Sequence, residues 1–141
     1  MQLIIDSSVF VAAFREQEKD SEACLRLLGK IEKGKISAII PVSVLLEVVA
    51  AIARRTSDEE LARCVGSHLV SFSSLSFIDL TIFRALQYLD LTAELKLAGM
   101  DAILVGTAKE FDLPLVTLDK EIQRRATGTI KLKSVYDFQD R

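Results

Sequence analysis

Short all-apolar runs alternate along the chain with longer stretches in which apolar residues recur every three or four positions. Leu3-Ile4-Ile5 reads as a strand that ends at Asp6, with Ser7 or Ser8 available to cap a helix starting near Val9. Asp20-Ser21 opens a second helix, with Cys24, Leu27, Leu28 and Ile31 on one face, and Gly34 ends it. Ser37-Ala38-Ile39-Ile40 predicts a second strand. Pro41 then stands where a helix can begin without losing a hydrogen bond. From Val42 to Arg55 a helix presents Leu45, Val48, Val49 and Ile52 to the core, and Ser57 with Glu60 has capping-box spacing for another helix reaching about Leu69. Phe77-Ile78 predicts a third strand, followed by a helix bearing Ile82, Leu86 and Leu89. Met100 to Phe111 is helical again, Leu115 to Leu118 is a strand ending at Asp119, and Ile130-Lys131-Leu132 is a short last strand.

Strands separated by helices of ten or more residues require crossover connections. The expected fold is therefore a three-layer α/β/α arrangement around a mostly parallel central sheet. The unbroken apolar character of Leu3-Ile5 and Leu115-Val116 fits a sheet covered on both faces. With 141 residues and no repeat or linker, residues 1–141 read as one domain.

Composition narrows the picture. Hydrophobic residues make up 50% of the chain and its net charge is −2, which excludes disorder. The most apolar stretch, Ala38 to Ala53, is interrupted by Pro41, Ser43 and Glu47, so no membrane span is expected. Met1-Gln2-Leu3-Ile4-Ile5-Asp6 lacks the basic leader and apolar core of a secretory signal. Cys24 and Cys64 have no zinc-site spacing and are expected as buried thiols in a reducing compartment, which places the protein in the cytoplasm. Mild acidity weighs against a protein that coats nucleic acid through bulk positive charge.

Four acids stand out. Asp6 and Asp119 follow strands, at the carboxyl edge where open parallel sheets bind ligands. Glu47 interrupts Val44-Leu45-Leu46-Glu47-Val48-Val49, and Asp101 precedes Ala102-Ile103-Leu104-Val105. A carboxylate amid such apolar sequence is costly to bury without a partner, a wet cleft or a metal. Each has an ordinary alternative. Asp6 and Asp119 can cap the helices that follow them, Asp101 can serve the helix dipole, and Glu47 can pair with Arg54 or Arg84. Brought to one edge, however, four carboxylates could not all ionise without cations. Oxygen-only ligation points to Mg²⁺ or Mn²⁺, ions suited to phosphodiester hydrolysis by an activated water. His68, the only histidine, lies unaccompanied in a predicted helix, so no Ser-His-Asp arrangement competes.

The same positions carry a family resemblance. Leu3-Ile4-Ile5-Asp6-Ser7-Ser8-Val9, Pro41 to Val48, Met100 to Val105 and Leu113 to Asp119, in that order and spacing, resemble the PIN-domain ribonucleases. The likeness is to the toxin half of VapBC-type toxin–antitoxin pairs and covers essentially the whole chain. It implies a PIN-like fold, metal-dependent endoribonuclease activity on RNA, homodimers or higher oligomers, and inhibition by a cognate antitoxin. That antitoxin would bind in a groove walled by the Glu47 helix and those before it. Asp6, Glu47, Asp101 and Asp119 would hold Mg²⁺ or Mn²⁺, and Ser8 and Thr117 would orient ligands from behind. Among the basic residues, Arg15, Lys120 and Arg124 are candidate RNA contacts, with Arg54, Arg55 and Arg125 as further flanking charges. Met100, and Ser8 in place of Asn, are slight departures from the pattern.

Other phosphate-handling folds fit less well. A receiver domain needs paired acids after its first strand, and a haloacid-dehalogenase-type phosphatase needs Asp-x-Asp; here Ser7 and Ser8 follow Asp6. The non-enzymatic alternative is a PIN-like interaction module whose acids are only caps and ion pairs.

Overall fold

The computed structural model describes residues 1–140. Five strands form one parallel sheet: β1 (Gln2–Ile5), β2 (Ser37–Pro41), β3 (Leu75–Ile78), β4 (Leu115–Val116) and β5 (Leu132–Lys133). Their spatial order is β3-β2-β1-β4-β5, which makes β1 central. It pairs with β2 through Leu3 opposite Ala38, and with β4 through Ile5 opposite Val116. Helices α1 (Ser7–Ala13), α2 (Ser21–Glu32), α3 (Val42–Thr56) and α4 (Glu59–Val70) pack together, while α5 (Ile82–Gln87), α6 (Leu89–Leu95) and α7 (Gly99–Phe111) form a second group. Chain direction reverses from leftward to rightward after β3, so right-handed crossovers place these two groups on opposite faces. The expected three-layer fold is what the structure has, and α8 (Lys120–Ala126) completes the second layer.

The reason for the apolar strands is now visible. Leu3, Ile4, Ile5, Leu115 and Val116 are fully buried between the helical layers. Crossover helices return antiparallel to the strands, so their N-termini gather at the carboxyl edge of the sheet. Gly34, in the left-handed region at φ +72°, ends α2 as expected, its N–H donating to the Ile31 carbonyl at 2.9 Å. Gly106 is needed for a different reason: a Cβ there would lie 2.5 Å from the buried Tyr88 ring.

Several local expectations are corrected. Ser57 does not cap α4. It adopts φ +54° to end α3, and the Asp58 carboxylate instead accepts from the Leu61 N–H at 2.9 Å. Helix α1 begins at Ser7 rather than Val9, and neither Ser7 nor Ser8 caps it. The segment after β3 is two short helices, and its apolar stripe faces outward: Ile82, Leu86 and Leu89 are 68%, 55% and 59% exposed. The core side of α3 is Val44, Val48 and Ile52, with Leu45 and Val49 half-buried beside them. Cys24 is buried, its thiol pushed up to about 12 chiefly by burial, but Cys64 is exposed. Among the described residues, no helix is long and apolar enough to cross a membrane.

Candidate metal centre at the carboxyl edge of the sheet

Asp6 occupies the turn between β1 and α1. It sits at the N-cap position but makes no capping bond, because its carboxylate is turned into the protein and is only 7% exposed. Its Oδ2 accepts two hydroxyl hydrogen bonds, from Ser8 Oγ and Thr117 Oγ1, both at 2.7 Å. The two hydroxyls lie 3.5 Å apart, but each has already given its single proton to Asp6, so the contact between them carries no hydrogen bond. Both then accept from backbone: Leu118 N–H donates to Ser8 Oγ and Asp119 N–H to Thr117 Oγ1, each at 3.0 Å. Gln123 Nε2 fixes the Thr117 carbonyl at 2.8 Å, which ties α8 to the same corner. The candidate supporting pair Ser8 and Thr117 thus joins the ends of β1 and β4.

Glu47 lies in the second turn of α3 and Asp101 in the first turn of α7, where the helix dipole favours an acid. Both are half-buried. Burial raises the Glu47 carboxyl above its ordinary value, the charges of Asp6 and Asp101 add to that, and the Ser7 hydroxyl opposes it. Burial likewise raises Asp101, with Asp119 and then Asp6 contributing. The sequence offers Ser7 as a cap candidate, but its side chain caps no helix. It stands between two of the acids, donating to Asp6 Oδ1 at 3.3 Å.

Asp119 is exposed, and one of its oxygens does cap a helix: Oδ1 accepts from Glu121 N–H at 2.9 Å and Ile122 N–H at 3.1 Å. The pairing of Glu47 with Arg54 or Arg84 does not occur, since Arg84 binds Glu110 instead. Among the described residues, none of the four acids makes a salt bridge. Their electrostatic influence on one another nevertheless runs from Glu47 through Asp6 and Asp101 to Asp119.

A cleft of ≈ 550 Å³ opens beside this corner, lined at one end by Ser7, Ser8, Glu47 and Leu118 and at the other by Arg54, Arg55 and Glu18. The predicted basic contacts fall outside its lining. Arg15 is held by Glu18 at 3.4 Å, and Arg124 by Glu121 at 2.6 Å on exposed α8. Lys120 is exposed next to Asp119.

The donor set consists of carboxylate and hydroxyl oxygens, which fits a hard divalent ion rather than zinc. Among the described residues, no group of three or more His, Cys, Asp or Glu side chains converges to metal-holding distance. Repulsion between acids that lack a cation favours such spreading.

Comparison with known proteins places the chain. The PIN domain model matches residues 3–128, and the chain belongs to that family. No curated protein sequence matches it. Its fold is shared with VapBC2 of Rickettsia felis, solved bound to a promoter DNA fragment, at 19% identity and a TM-score of 0.69, covering 95% of this chain and 98% of that one. The VapC20 toxin of Mycobacterium tuberculosis, which cleaves the sarcin–ricin loop, matches with a TM-score of 0.71 and 12% identity, covering 86% and 93%. FitAcB of Neisseria gonorrhoeae matches with a TM-score of 0.67 and 16% identity, covering 96% and 99%.

Proposed function

We propose that residues 1–141 form one nuclease domain, an endoribonuclease that uses Mg²⁺ or Mn²⁺ and acts as the toxin of a type II toxin–antitoxin pair. The observation that carries this reading is a buried carboxylate, Asp6, with three further acids at the same sheet edge. Among the described residues none of the four is in a salt bridge, and the carboxyls of Glu47 and Asp101 are raised by burial and by the neighbouring acids. Asp6, Glu47, Asp101 and Asp119 would hold the ion. When bound, it supplies positive charge that activates water and offsets charge on the phosphodiester. The chain's own part is positional. Ser8 and Thr117 saturate Asp6 Oδ2, which fixes the carboxylate and leaves Oδ1 the less committed oxygen. The cap on Asp119 does the same for that residue, with Oδ1 engaged and Oδ2 open. Lys120, exposed beside Asp119, would meet a backbone phosphate.

Likeness to toxin–antitoxin structures supports a cognate antitoxin as partner. The outward apolar face of α5 and α6 supports self-association: Phe83 is 76% exposed beside Ile82, Leu86 and Leu89, a concentration of apolar surface that isolated monomers seldom display. Sedimentation of the wild type is expected to show a dimer or larger species that Leu86→Asp reduces to monomer. A monomeric wild type at micromolar concentration would remove that part of the reading.

The decisive experiment is Mn²⁺ titration followed by thermal unfolding, run in parallel with RNA cleavage. Wild type should be stabilised by Mn²⁺ and should cut RNA. Asp101→Asn should fold, lose the Mn²⁺-dependent stabilisation and lose cleavage. Equal Mn²⁺ response and equal cleavage in the two proteins would leave the fold as a non-catalytic interaction module.

A further inference from the structure

The cleft beside Glu47 has two ends of opposite charge, and both are written on one face of α3. Glu47, Ala50, Ala51 and Arg54 all line it, at the i, i+3, i+4 and i+7 spacing that aligns side chains along a helix. Seven residues at 1.5 Å each put Arg54 about 10 Å along the axis from Glu47. Alanines make the floor between them low enough for a chain to lie close to the helix. Arg54 is exposed and, among the described residues, makes no ion pair. Arg55 is only loosely offset, 3.9 Å from a Glu18 carboxylate that also takes Arg15 at 3.4 Å, and pairs so exposed are weak. The cleft lining contains no aromatic side chain, so it offers no platform for stacking bases.

Resting on the ribonuclease reading of the acidic end, we propose that Arg54, assisted by Arg55, is a phosphate-binding subsite. It holds the backbone of single-stranded RNA away from the bond being cut. A guanidinium presents paired donors that match two phosphate oxygens, and a cationic groove without stacking partners follows a backbone rather than reading a sequence. Glu18 is the built-in restraint, since it occupies Arg55 and Arg15 when RNA is absent. Substrates that reach the Arg54 end therefore bind better than those that end at the acids.

The probe is fluorescein-labelled 2′-O-methyl oligouridylate, which resists cutting, titrated in Mg²⁺ at several salt concentrations and read by anisotropy. Arg54→Gln is expected to weaken binding about three- to tenfold at low salt. It should also flatten the dependence of log affinity on log salt by about 0.7, the release expected for one lost single-strand phosphate contact. Arg54→Lys should recover most of the slope. Glu18→Gln should move affinity the opposite way, tightening it a few-fold. Arg63→Gln, whose guanidinium is held by Glu59 at 3.5 Å on α4, away from the cleft lining, should change neither. If wild type binds the RNA and Arg54→Gln matches it in affinity and slope, the subsite is wrong while the ribonuclease reading stands. Equal losses in Arg54→Gln and Arg63→Gln would reduce the effect to overall charge and overturn it. Polyglutamate bound as tightly as the RNA, with the same loss in Arg54→Gln, would make the basic end a peptide site instead. A wild type that binds no RNA removes both readings.

Discussion

Glu110 and Glu47 are both acids set into apolar helices, and the protein treats them in opposite ways. Glu110, on α7, receives the Tyr88 hydroxyl at 2.6 Å and Arg84 Nε at 3.2 Å, so its charge is met by a proton donor and a cation. In return Tyr88 is pushed up to about 12, first by burial and then by that hydrogen bond. The ring reaches Glu110 because Gly106 leaves the space, and Arg84 also stands 5.9 Å over the Phe111 ring. Glu47 has no such cation; its charged neighbours are Asp6 and Asp101. One cluster is complete without a ligand, whereas the other holds negative charge that the chain itself does not neutralise. Partial burial of an acid does not separate the two cases; the presence or absence of a cation beside it does.

The sharpest way to break this contrast is to remove one charge from each cluster. Glu110→Gln should cost about 1 kcal/mol of stability, because it loses a charge-assisted bond that is partly exposed. Its RNA cleavage should match wild type. Asp6→Asn should do the reverse, with cleavage down about a hundredfold or more and the fold retained or stabilised by relief of repulsion. Denaturant unfolding and a cleavage assay on the same preparations check both. Loss of cleavage in Glu110→Gln, or its retention in Asp6→Asn, would dissolve the distinction.

A smaller effect should appear in the pH dependence of stability. Glu47 and Asp101 have folded-state values raised above the ordinary 4.5 and 3.8, so over that window the folded protein binds more protons than the unfolded chain. Their contribution is present below those ordinary values and is lost as pH rises through the raised ones. Melting temperature measured in EDTA should therefore carry a component that falls with rising pH, and Mn²⁺ should suppress it by neutralising the same charges. Exposed groups such as Glu121 and Asp140 shift downward and act in the opposite sense, but they are common to both conditions and cancel in the comparison. An identical pH profile with and without Mn²⁺ would mean that the ion does not sit among these acids.

Much of this was legible in the residues. All-apolar runs such as Leu3-Ile5 announce strands covered on both faces, and parallel crossovers leave little choice about where Asp6 and Asp119 fall. The resemblance to PIN-domain ribonucleases rested on those positions, and the family match bears it out. What the sequence hid was direction. The stripe Ile82, Leu86, Leu89 has helical periodicity, but periodicity does not say whether a stripe faces the core or the outside. Ser57 and Glu60 have the spacing of a capping box, yet Ser57 is spent on turning the chain and Asp58 takes the cap. Arg54 and Arg55 were visible only as flanking charges, because the cleft that gives Arg54 a place depends on α1 and α3 packing side by side.

The bond from Thr117 to Asp6 joins positions 111 apart in the chain, and β1 finds its β4 partner only across the same gap. Chains are made from the N-terminus and fold as they emerge. A polypeptide still on the ribosome therefore has Asp6 and Glu47 in hand long before Asp101 and Asp119 exist to stand beside them. The acidic corner is complete only once Asp119 has been made, so a half-made copy holds just two of its four acids.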